Sequence, residues 1–135
     1  MKRTFTNAFD KVYLTIEFDP AANWMYNNWI GVLTTEKVIE GCLGTIEMLR
    51  ETGCPHMLND NREVVGSWSG ANEWIASVWL PRALSLGLKK HAHVVSPGIF
   101  GQASAAEMET RIGKQLQMHL FADIELAKTW LREKR

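Results

Sequence analysis

The chain has 135 residues, of which 46% are hydrophobic and 22% charged, proportions of one globular domain and not of a disordered, collagen-like or membrane-embedded chain. Fifteen basic residues balance fifteen acidic ones, so composition offers no electrostatic footprint for a nucleic acid or an anionic lipid surface. A chain of this length buries roughly two-thirds of its unfolded surface and needs no disulfide or metal staple; Cys42 and Cys54 are too few for a disulfide framework and match no zinc spacing.

Residues 1–7 carry no apolar core of signal-peptide length, and no apolar run approaches the ~18 residues of a membrane span, which sets the expectation of a reduced, cytoplasmic setting. Residues 11–18 alternate β-branched and aromatic with polar side chains, the pattern of a strand with one wet face. After the turn Asp19-Pro20-Ala21-Ala22-Asn23, residues 24–32 form a second β-like run, so the two predict an antiparallel hairpin. From Thr34 the period changes. Val38, Ile39, Cys42, Leu43, Ile46 and Leu49 recur at three and four, with Thr34 or Thr35 as N-cap and Gly53 as the stop. Gly41 and Gly44 cost such a helix about 1 kcal/mol each against alanine, which close approach of its backbone to the sheet explains.

Residues 56–60 predict a buried strand that ends in polar residues, followed by a loop over 61–68. Ser69 is placed to cap a helix with Trp74, Ile75, Val78 and Trp79 on one side, kinked or restarted at Pro81 and ended by Gly87. Residues 91–96 predict a third buried strand, halted by Pro97-Gly98. Ser104 and Glu107 have capping-box spacing for a helix that runs to Gly113. Residues 118–121 are short enough for a last strand, and Asp123 caps a final helix with Ile124, Ala127, Trp130 and Leu131 inward and Arg132-Glu133-Lys134-Arg135 in water. The order ββαβαβαβα predicts one α/β domain over 1–135: a mixed, mostly parallel sheet of about five strands with an N-terminal antiparallel hairpin, and four helices spread over both faces.

That order, with Asn59-Asp60-Asn61-Arg62 after the central strand, Glu73-Trp74 in the next helix, Gly87-Leu88-Lys89 before a histidine-containing strand, and Phe121-Ala122-Asp123 followed by Ala127-Lys128-Thr129-Trp130-Leu131, resembles small bacterial STAS-like (anti-sigma-factor antagonist-like) domains from about Val12 to Leu131. The resemblance implies a compact α/β domain for protein association and regulation, with some relatives binding nucleotides or lipids. In signalling members a serine followed by glycine at the start of the helix after the central strand accepts phosphate. Ser69-Gly70 stands in that place, although Ser67 and Trp68 replace the acidic residue usual before it.

Asp60 and Arg62 fall where an open α/β sheet collects ligands, at strand carboxyl ends. Arg62 has the fork to hold an anion, and the plainer reading pairs it with Asp60. His91 and His93 share a strand face at a spacing suited to a metal, without a third ligand in the pattern; the plainer reading covers them with a helix. No catalytic spacing emerges. Gly66-Ser67-Trp68-Ser69-Gly70 has Trp68 where a nucleophile elbow needs serine. The six tryptophans exceed ordinary packing needs, so Trp68 first and Trp79 second, beside Trp74, are the expected accessible anchors of a contact surface. The sequence therefore predicts a non-enzymatic interaction module without metal or cofactor. Its expected contact surface is the loop 61–72 and the next helix, its partner a second copy or another protein. The alternatives are a carrier of a small apolar or amphiphilic ligand, as in the CRAL-TRIO fold, and an enzyme with Asp60, Arg62 and His91 or His93 in a cleft.

Overall fold

In the computed structural model, which describes residues 1–133, β-structure begins earlier than the hairpin. Arg3 and Phe5 point inward between exposed Lys2, Thr4 and Thr6, and this alternation forms an edge strand, β1 (Lys2–Thr6). The elements that follow are β2 (Val12–Asp19), β3 (Trp24–Val32), α1 (Thr35–Thr52), β4 (His56–Val65), a helical run α2 over 72–85, β5 (Lys90–Val94), α3 (Ile99–Ile112), β6 (Gln117–Phe121) and α4 (Ile124–Arg132). The sheet thus has six strands where about five were expected, in a mixed α/β arrangement with four helices. β1–β2 and β2–β3 pair antiparallel, and β3–β4, β4–β5 and β5–β6 pair parallel.

Strand order follows chain order from β1 to β6 without reversal. Crossovers between parallel strands share one hand, and here each moves the chain in the same direction across the sheet. All three crossover helices therefore land on one face. The main core confirms this: Leu14, Ile16, Met25, Trp29, Met57 and Met118 of the sheet join Val38 and Ile46 of α1, Ile75 and Trp79 of α2, and Met108 and Ile112 of α3. Both faces are covered, as expected, but unequally. Only α4, which follows the last strand and is free of the crossover rule, covers the other face, where Ala127 and Leu131 meet Trp24, Leu58, Ala92 and Val94.

Local chemistry explains the helix ends. Thr34 accepts a hydrogen bond from the Lys37 amide at 3.2 Å, Gly53 closes α1 at φ +64°, and the Asp123 carboxylate accepts from the Glu125 amide at 2.7 Å. Lys90, buried beneath α4, donates to the carbonyl oxygens of Trp130 at 3.2 Å and Glu133 at 3.1 Å, where a cation suits the helix dipole. Arg132 and Glu133 are exposed, as expected of that tail; Lys134 and Arg135 lie outside the described residues.

Three boundaries differ from the sequence reading. β4 runs on through the expected loop to Val65, because a bulge lets it keep pairing with β3: Asn28 faces Asp60, yet Ile30 faces Glu63. α3 begins at Ile99 and not at Ser104; Ser104 lies inside the helix, where its hydroxyl donates to the Phe100 carbonyl at 3.0 Å and accepts from the Trp68 amide at 3.1 Å. Ser69 caps no helix with its side chain. It opens a 3-10 turn, Ser69–Ala71, that leads into α2. Within α2 a π turn, Ile75–Trp79, precedes Pro81, and α-helix resumes over Leu80–Ser85. Proline has no N–H to donate to the preceding turn and crowds its carbonyl, and the widened turn accommodates both.

Glycines at 41 and 44 let α1 lie close to the sheet. A Cβ on Gly41 would stand 2.4 Å from the Trp29 ring and 2.6 Å from Leu14, and one on Gly44 would stand 2.4 Å from Phe5. Gly41→Ala should therefore lower stability by about 1–3 kcal/mol in urea titrations, in spite of the ~1 kcal/mol that alanine contributes to an unconstrained helix. An unchanged or higher midpoint would mean that the indole has room to retreat.

Candidate functional site

Side chains alternate along a strand, so the inward positions of adjacent strands form rows. One inward row is polar. Asn27 of β3, Asn59 of β4 and His93 of β5 are register partners. The neighbouring row is Met25, Met57, His91 and Met118. The residues of both rows are buried under α1 to α3.

Asn59 links the polar row. Its Oδ1 accepts from Trp29 Nε1 at 2.8 Å and from Asn27 Nδ2 at 3.4 Å, and its Nδ2 donates to His93 Nδ1 at 3.2 Å and to Asn61 Oδ1 at 3.4 Å. An accepting Nδ1 places the neutral His93 proton on Nε2. Burial lowers the His91 pKa to about 4. Burial, and then the neighbouring His91, lower that of His93 to about 3 against a weaker pull upward from Asp60. Both rings are neutral near pH 7.

The indoles close this layer. Trp68 lies 5.8 Å from the His93 ring and Trp79 lies 6.0 Å from the His91 ring, measured between centroids. Trp79 Nε1 donates to Thr45 Oγ1 at 2.9 Å, which itself donates to the Cys42 carbonyl at 2.6 Å. Between sheet and helices remains a chamber of about 40 Å³ whose lining includes Asn27, Trp29, Asn59, Trp68, Trp79 and His91. Cys42 also borders it, with its thiol pushed up to about 12 by burial and therefore protonated. Several polar atoms here have no partner: Asn27 Oδ1, both ring nitrogens of His91, Nε2 of His93 and Nε1 of Trp68. Such groups are rare in folded proteins and each costs about 1–3 kcal/mol when left unpaired.

The expected accessibility of Trp68 and Trp79 is corrected by these contacts. They are 6% and 3% exposed, because Trp68 is drawn inward by the Ser104 hydroxyl on its amide and Trp79 by Thr45 on its indole. Trp74 is half-buried against the same core. The loop 61–72 consequently offers no apolar patch built on indoles. Exposed apolar side chains lie instead at Val65, within that stretch, at its register partner Val32, and at Ile99 and Phe100 in the first turn of α3.

Asp60 and Arg62 occupy the opposite face, mid-strand and not at a carboxyl edge. The bulge frees the Arg62 amide, and Asp60 Oδ1 accepts it at 3.0 Å while Arg62 Nε and Nη2 grip the same carboxylate at 3.0 and 2.8 Å. Tyr26 Oη donates to Asp60 Oδ2 at 2.6 Å. Burial alone would raise the Asp60 pKa, but these bonds from Arg62 and Tyr26 outweigh it and hold the carboxyl below its ordinary value. The plainer reading of the pair is the observed one. Asp60 projects away from His91 and His93, so the three do not converge on a cleft. No group of three or more His, Cys, Asp or Glu side chains suited to a metal occurs among the described residues. Ser69 Oγ lies 3.1 Å from Ser67 Oγ at the surface. The site residue that the sequence reading missed is Asn27, and its signal was present, since it sits two residues from Met25 and from Trp29 on the inward period; Asn59 was expected beside Asp60 at a strand's carboxyl end and lies instead on the buried inward row.

The two neutral histidines couple folding to pH. Their folded pKa values lie below the unfolded ~6.5, so the unfolded chain binds the extra protons; stability is complete above pH 6.5 and declines as pH falls toward 4. Unfolding free energy from urea titrations should drop by roughly 2–3 kcal/mol between pH 6 and pH 5. In His91→Gln the drop should shrink by about 1 kcal/mol, and an unaltered slope would show that His91 does not titrate as placed. No protein-family model matches the chain, and no curated protein sequence is significantly similar to it.

Proposed function

We propose that the protein is a non-catalytic regulatory domain of STAS-like type that works by binding a small molecule in the chamber between its sheet and α1 to α3. The observation that carries this reading is that Asn27, Trp68 and His91, which line the chamber, each hold a buried polar atom without a partner. Burial of so many unmet donors and acceptors is costly unless an occupant pairs with them. Catalysis has less support. The histidines and the thiol of Cys42 are in uncharged forms near pH 7, and Asp60 faces the other way. A fatty chain is a poor fit, since a chamber of about 40 Å³ is far smaller than the ~300 Å³ at which drug-sized pockets begin.

A library of fragments of at most six non-hydrogen atoms, each at 10 mM, tests the reading by thermal unfolding. Members that fit should raise Tm by about 3–8 °C at tenfold saturation, and the gain should vanish when Thr45→Leu fills the chamber. If no fragment of any charge or polarity shifts Tm, and a high-resolution crystal structure finds only water inside, the reading fails.

A second reading, protein association, is favoured by the exposed Val32, Val65, Ile99 and Phe100 at one end of the sheet. A balanced net charge places no electrostatic barrier against a second copy. Sedimentation at about 100 µM should then show a dimer that Val65→Ser with Phe100→Ser converts to monomer; a wild-type monomer removes the self-association reading.

A further inference from the structure

Resting on the chamber as a binding site, we infer that its ligand is a neutral, planar azole or amide of about four or five non-hydrogen atoms that carries an N–H donor close to a lone-pair acceptor. Four observations converge on this class. The first is charge. No side chain lining the chamber is ionised near pH 7, since the lining residues that titrate, Cys42 and His91, are held uncharged by burial. A charged guest would give up its hydration without meeting a counter-charge.

Polarity is the second. Asn27 Oδ1 is an acceptor without a donor, and Trp68 Nε1–H is a donor without an acceptor. Asn27 cannot reverse these roles by flipping its amide, because Nδ2 already donates to Asn59 Oδ1. A guest must therefore offer both kinds of group. His91 has a free donor and a free acceptor on its ring and can serve either side of such a guest.

Shape and size supply the third. Trp29, Trp68 and Trp79 are among the lining residues, and indole rings are flat apolar surfaces that favour a flat guest. The chamber volume of about 40 Å³ corresponds to three or four water positions at about 10–15 Å³ each, the space of one five-membered ring or one small amide. A fourth observation is that the π turn Ile75–Trp79 begins and ends on residues that line the chamber. π turns are rare and concentrate at functional sites.

The probe is pyrazole, uncharged at pH 7 with N–H and lone pair adjacent, compared with thiophene, a ring of equal size with no N–H. Both are titrated into the full chain labelled with ¹⁵N, and the indole N–H signals of Trp68 and Trp79 are followed. Pyrazole should saturate at millimolar concentration, shift the Trp68 indole N–H downfield and bind at least tenfold more tightly than thiophene. Asn27→Leu removes the acceptor and should weaken pyrazole at least tenfold with little change for thiophene. Trp68→Phe keeps the wall without its N–H, and should do the same with Trp79 as the reporter. Thiophene binding as tightly as pyrazole, tighter binding of the guanidinium ion, or pyrazole affinity unaltered in a folded Asn27→Leu would each overturn the inferred class while leaving the chamber a binding site. Failure of every probe to saturate overturns the class, and only together with the fragment result described above does the binding site itself fall. The comparison of pyrazole with thiophene uses the unaltered chain and decides the matter even where both variants unfold.

Discussion

A sheet whose strands never change order constrains everything else in this molecule. When strand order reverses, crossovers of one hand are sent to opposite faces and a crevice opens at the reversal. From β1 to β6 no reversal occurs. Three helices therefore crowd one face while a single helix lies on the other, and the chamber lies under the crowded side and not at a switch point between strands. The chamber lined by Asn27, Asn59 and His91 is a product of this one-sided cover.

Asn59 gives that interior its shape. Its amide has two donor and two acceptor positions and meets four neighbours from β3, β4 and β5. It thereby fixes the indole of Trp29 and the tautomer of His93. The groups it satisfies define, by difference, those left over at Asn27, His91 and Trp68. A polar network in a low-dielectric interior specifies geometry strongly when all members are paired, and here pairing stops at the chamber wall. The opposite face has a self-contained counterpart, in which Asp60 takes the freed amide and the guanidinium of Arg62 together with the Tyr26 hydroxyl.

Much of the architecture was legible because its causes are local. Thr34, Gly53 and Asp123 end their helices by bonds within a few residues, and Gly41 and Gly44 signalled the close contact of α1 with the sheet. The shared face of His91 and His93 followed from the period of a strand, whereas the Asp60–Arg62 pair was read from proximity and opposite charge, with Arg62 in an expected loop that is strand. What escaped has distant causes. β1 has too few residues for its alternation to stand out, and strand order leaves no local trace. Trp68 looked like a loop residue, and its burial depends on Ser104, 36 positions further along. Ser104 and Glu107 matched a capping box by spacing, yet Glu107 accepts from Asn72 at 3.1 Å instead. Asn59 was read at the emerging end of its strand, and its burial depends on the helices above it.

Lys90 has a consequence for biosynthesis. Its ammonium holds the carboxyl end of the last described helix to the sheet, and that helix alone shields Leu58, Ala92 and Val94. Once β6 has left the ribosome the sheet is complete, with a greasy strip still open to solvent or to another nascent copy. Until residues 124–132 emerge and settle over the strip, the newborn polypeptide is at its most adhesive, and a message truncated just upstream would leave it permanently so.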